Sequence, residues 1–170
     1  MQLKKLVFMA LLTAVALIIF TIEAQIPNPI PIPGIKLGLA NIVTVYAMFV
    51  LGPKPTLMIL VCRIILGSFF SGQMVSLIYS MAGGLLCYAS MLLLRKVLSL
   101  RQIWVCSVIG AVCHNVGQIS VAILLTRTLG MLAYVPFLLI SGILAGFCTG
   151  ICAQKVVLRF SDRVMRELGS

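Results

Sequence analysis

Residues 102–126 read QIWVCSVIGAVCHNVGQISVAILLT, twenty-five positions without an acid or a fixed cation. A crossing of the bilayer needs about 20 mostly apolar residues, so this stretch is long enough to span one. Hydrocarbon offers the backbone no hydrogen bonds, and the run must satisfy its own amides by forming a helix. Working outward, comparable runs cover 6–23, 37–52, 56–71, 74–94 and 133–154. The second and third are short. Between them, Gly52-Pro53-Lys54-Pro55 makes a turn that one continuous helix would not cross. The reading is an all-α integral membrane protein: a single membrane domain over 1–170, folded as a six-transmembrane-helix bundle, with 155–170 as a basic cytoplasmic tail.

Composition agrees. The chain is 62% hydrophobic and 9% charged, whereas a soluble domain is roughly 25% charged. It lacks the polar surface to cover a water-exposed fold. Six spans return both termini to one side, and the bases say which. With cytoplasmic termini, Lys4, Lys5, Lys54, Arg95, Lys96, Arg101, Lys155, Arg159, Arg163 and Arg166 fall inside. Lys36 and Arg127 fall outside, and Arg63 lies within a span. Ten against two is the positive-inside pattern of a bacterial-type cytoplasmic membrane. The net charge of +10 is therefore topological and calls for no nucleic acid. The tail faces lipid headgroups. The first run follows Lys4 and Lys5 without a small-residue cleavage site, so it reads as a retained span.

The acid inventory removes most chemistry. Only Glu23, Asp162 and Glu167 are present. Glu23 is placed at the outer edge and the other two in the tail. Magnesium-dependent work on diphosphates needs clustered carboxylates. A proton or sodium pump would carry one inside the membrane, and ATP hydrolysis would need a phosphate-cradling glycine loop. None of these is expected here, and neither is a nucleophile–base set. The six cysteines (62, 87, 106, 113, 148 and 152) sit in apolar runs without a CxxC pair and read as small apolar helix residues. One histidine with no nearby acid does not make a metal site. The chain is read as binding or passing a molecule, not as an enzyme, with no cofactor of its own.

Four features remain. Prolines at 27, 29, 31 and 33 stiffen the outer loop 23–36, which ends in Lys36 and fits either a lid over an outward-facing cavity or a plain connector. Arg63 lies about two and a half turns into its span, too deep to snorkel easily. A bare arginine there costs at least ~2.5–3.5 kcal/mol, so it should turn inward to a partner or ligand. His114, Asn115 and Gln118 share one broad helical face by their spacing. They read as ligand-lining groups, with interhelical glue as the plainer alternative. Small-residue ladders come last. Gly142, Gly146 and Gly150 suit internal packing, while Ala10 and Ala14 could equally face a separate subunit.

The segments Pro31–Ile42, Arg63–Ser68, Ser80–Gly84 and His114–Gln118, in that order, resemble the Gx transporter family, often labelled heptaprenyl diphosphate synthase component I. The resemblance covers nearly the whole chain. Prenyl-diphosphate synthases use paired aspartate-rich motifs and this chain has one aspartate, so the label reads as inherited from gene neighbourhood. The family is in turn similar to the substrate-binding S components of energy-coupling factor (ECF) transporters. That likeness implies six helices, cytoplasmic termini, an outer loop closing over the ligand, and an alanine face on the first helix, here Ala10 and Ala14, docking on a coupling subunit served by ATPases. The expectation is a subunit that captures a small cofactor-type or isoprenoid-related molecule, anionic or carbonyl-rich, with Lys36, Asn41, Arg63, His114, Asn115 and Gln118 lining its site. The alternative is a non-transporting membrane partner of a prenyl-diphosphate synthase or of a flavin- or quinone-linked electron-export system.

Overall fold

The computed structural model describes residues 2–25, 38–72 and 74–168. Among these residues the regular elements are all helical, with no strand. They are α1 (Gln2–Gln25), α2 (Asn41–Val50), α3 (Pro53–Ser71), α4 (Met74–Leu94), α5 (Ile103–Thr126) and α6 (Val135–Leu168). Five of them, all but α2, are long and apolar enough to cross a membrane. Large apolar side chains such as Leu6, Leu11, Ile18, Phe69, Phe70, Ile140 and Leu144 point outward. In water that surface would be a liability; against lipid it is the ordinary exterior of a multi-pass membrane protein.

The expected span 37–52 contains a helix of only ten residues, about 15 Å at 1.5 Å per residue against a hydrocarbon core of ~30 Å. Its ends explain the shortness. Gly38 sits at φ 80° and Gly52 at φ 89°, left-handed conformations that interrupt a helix on either side. Pro53 then opens α3 at its first turn, where a missing N–H costs nothing. At the other end of the chain, α6 runs through the expected tail without a break, reaching 34 residues.

α2 is short but central. It touches each of the other five helices, and seven of its ten residues are buried. α1 is peripheral, packing on α3 and less extensively on α2, where Ala16 meets Val43, Ala47 and Ile59. α5 lies between α4 and α6, and glycines set both separations. A Cβ on Gly117 would stand 2.8 Å from the Cα of Gly83 on α4. Cβ atoms on Gly146 and Gly150 would stand 2.8 and 2.7 Å from the Cα atoms of Val108 and Trp104. The glycine ladder of α6 is thus an internal helix contact. All six cysteines are free thiols.

Candidate functional site

Arg63 sits mid-way along α3 with 5% of its surface exposed, so it does not snorkel to either interface. Its Nη2 donates to Oδ1 of Asn41 at 3.3 Å, joining α3 to the first residue of α2. The three residues before α2 form a tight turn, Asn41 N–H donating to the Gly38 carbonyl at 2.9 Å. The carbonyls of that turn take the first amides of α2, and the turn's own amides are left to find acceptors elsewhere. They are met by Glu23 near the end of α1: Gly38 N–H donates to its Oε1, and the Leu39 and Ala40 amides lie within its reach. A carboxylate at a helix N-terminus is well placed, because the amides and the helix dipole both favour negative charge.

The α5 residues close the site from the other side. A Cβ on Gly38 would stand 3.0 Å from Asn41 Nδ2 and 3.3 Å from His114 Cδ2. The turn can approach both side chains because residue 38 has none. A Cβ on Gly83 of α4 would meet the His114 carbonyl at 2.7 Å, and His114 Cε1 and Gln118 Cγ each at 3.0 Å. His114 and Gln118 therefore lie side by side over Gly83, and His114 is within electrostatic range of Arg63. Side chains from α1, α2, α3 and α5 converge here, with bare α4 backbone at Gly83.

Most of these groups are incompletely bonded. Among the described residues, Arg63 Nε, Asn41 Nδ2, His114 Nδ1 and both amide atoms of Gln118 are buried with no protein partner. Each such atom costs about 1–3 kcal/mol if nothing else meets it. Three of the five are obligate donors, one is an obligate acceptor, and the imidazole nitrogen can serve either way. The set is best complemented by a group rich in carbonyl or other acceptor oxygens. Among the described residues no cluster of three or more His, Cys, Asp or Glu could hold a metal.

A family model described as heptaprenyl diphosphate synthase component I matches residues 12–156. The chain belongs to that family. The matched region includes Glu23, Asn41, Arg63, Gly83, His114 and Gln118, so the whole convergent site lies within it. No curated protein and no solved structure matches the chain.

Two residues stand elsewhere than their sequence position suggests. Asn115 does not join His114 and Gln118. Its Nδ2 donates to the Leu138 carbonyl of α6 at 2.6 Å, beside Gly142. Consecutive positions are 100° apart around a helix, while i and i+4 are only about 40° apart. His114 and Gln118 consequently face α4, and Asn115 faces α6. Glu23 is not a solvent-edge acid: it is 5% exposed and turned into the bundle. Composition marked it as one of three acids, but nothing local signalled that α2 would begin against it. Lys36 and the Pro27–Lys36 loop lie outside the described residues. Ala10 and Ala14 are exposed, on the side of α1 opposite the buried Ala16, Phe20 and Glu23. Ser76, two turns before Gly83 and on the same face of α4, is a buried hydroxyl without a protein partner that the motifs missed.

Proposed function

We propose that the protein is a non-catalytic, membrane-embedded binding subunit that captures a small cofactor-type or isoprenoid-related molecule, in the manner of an ECF S component. The observation carrying this reading is the convergence of Asn41, Arg63, His114 and Gln118 from three helices, each buried with a polar atom unmet by protein. Interhelical glue would be bonded to its neighbour helix; these atoms are better suited to hold a guest. Arg63 and Asn41 take its acceptor oxygens, and Gln118 reads a donor–acceptor edge.

Six crossings with cytoplasmic termini fit the path through α2. Its start is tied to Glu23 near the end of α1. Its far end lies by the end of α4, where Tyr88 Oη donates to the Pro53 carbonyl at 3.2 Å and Gly52 sits beside Arg95. The segment from 38 to 52 thus runs from the level of Arg63, mid-way along α3, to the end of the bundle beside Arg95. The basic residues at Arg95 and Lys96 then mark the cytoplasmic end. Exposed Ala10 and Ala14 offer a close-approach face for a coupling subunit with ATPases.

Purification of the chain in detergent, followed by mass spectrometry of co-purified small molecules, tests the reading. The guest is expected in wild type and reduced about tenfold or more in Arg63→Ala and Gln118→Ala, the loss of one good polar contact. Retention at wild-type levels in both variants overturns the site. The family description favours a second reading, a membrane partner of a prenyl-diphosphate synthase. Recovery with a soluble synthase and without ATPase subunits would select it.

A further inference from the structure

Among the described residues of the site, Glu23 stands apart in accepting from the protein's own backbone, at the Gly38 N–H. Its carboxylate faces the amides of Gly38, Leu39 and Ala40 and lies within electrostatic range of Arg63. Those amides belong to the turn that leads into the ten-residue α2, and the guanidinium beside them keeps a buried, unbonded Nε. Such amides plus an inward-turned arginine make an anion site. Here the chain's own side chain fills it.

We propose that Glu23 is an internal counter-anion that sets the charge selectivity of the site, so that the guest is recognised through uncharged carbonyl or amide groups and not through a carboxylate or phosphate. The proposal rests on the binding reading above and narrows it. Arg63 already has a compensating negative charge close by. A second one would be brought into low dielectric facing Glu23, where like charges repel strongly and neither is well solvated. An uncharged acceptor oxygen can still take Arg63 Nε, Asn41 Nδ2 and Gln118 Nε2 at no such cost. A multiply anionic prenyl diphosphate is therefore the wrong guest for this cluster, whatever its tail would gain among apolar helices.

The test uses the full chain in detergent, with inorganic phosphate as probe against chloride at matched ionic strength, and reads the thermal unfolding midpoint. Wild type is expected to show no phosphate-specific shift. Glu23→Ala, which empties the amide nest, is expected to unfold earlier and to regain about 3 °C or more when phosphate reaches well above its dissociation constant. Glu23→Gln preserves the shape and removes the charge, and it stands in if the alanine variant does not fold. Its loss should be largely recovered when Arg63→Met is added, because the pair is charge-coupled. A phosphate-specific shift in wild type as large as in Glu23→Ala overturns the proposal. So does Glu23→Ala that phosphate leaves unmoved, or losses from Glu23→Gln and Arg63→Met that simply add. Absence of any co-purified molecule would count against the binding reading while leaving this experiment readable, since it uses only phosphate and stability.

Discussion

The two sides of α5 carry polar groups in opposite conditions. On the side facing α6, Asn115 donates to the Leu138 carbonyl at 2.6 Å and Ser107 meets Thr149 at 3.1 Å. Among the described residues on that side, the Asn115 oxygen is the buried α5 atom without a partner. On the side facing α4, His114 Nδ1 and both amide atoms of Gln118 are buried and unbonded. The same helix, at the same depth, is glued on one side and unfinished on the other. The difference teaches that polarity inside a membrane helix does not by itself mark a site. What marks it is polarity whose partners the protein has not supplied.

The glued side should break first and hardest. Gly146→Val would drive a branched side chain into Val108 and the Ser107 carbonyl, both unable to retreat because they belong to a packed helix. It should cost about 3 kcal/mol or prevent assembly altogether, read by denaturant unfolding in detergent. Asn115→Leu and Gln118→Leu make the sharpest pair. The first removes the Asn115 bond to the Leu138 carbonyl, which keeps the Ser141 hydroxyl at 3.0 Å, and should cost about 1 kcal/mol. The second removes two unbonded polar atoms and should leave stability unchanged or raise it by about 1 kcal/mol, while abolishing guest retention. If Gln118→Leu destabilises as much as Asn115→Leu, the distinction between the two sides is lost.

Smaller effects refine the comparison. Ser107→Ala removes one interhelical hydroxyl contact and should cost about 0.6 kcal/mol, the usual worth of such a bond in a bundle, measurable in the same unfolding series. Ala14→Leu lies on the exposed face of α1 and should change stability by less than about 0.5 kcal/mol. Its effect should appear in co-purification, as loss of a membrane partner subunit. A large stability loss would mean that the alanine face is already packed against its own bundle.

Much of this was legible in the residues. Uncharged apolar runs dictated helices because hydrocarbon leaves the backbone no other way to bond, and Gly52-Pro53 marked the α2–α3 break. Arg63 had to turn inward because its depth excludes the headgroups. His114 and Gln118, four apart, had to share a face. The shortness of α2 was only half visible, since the left-handed conformation of Gly38 belongs to a turn shaped by Asn41, His114 and Glu23 together. Which neighbour each face of α5 meets could not be read at all. Helical period fixes the angle between His114 and Asn115, but the packing of α4 and α6 decides that one looks into the site and the other onto a carbonyl. Glu23 is the plainest case. Its identity was in the chain, yet its role depends on a helix start fifteen residues later folding back against it, and contact between distant segments is settled by packing, not by local pattern.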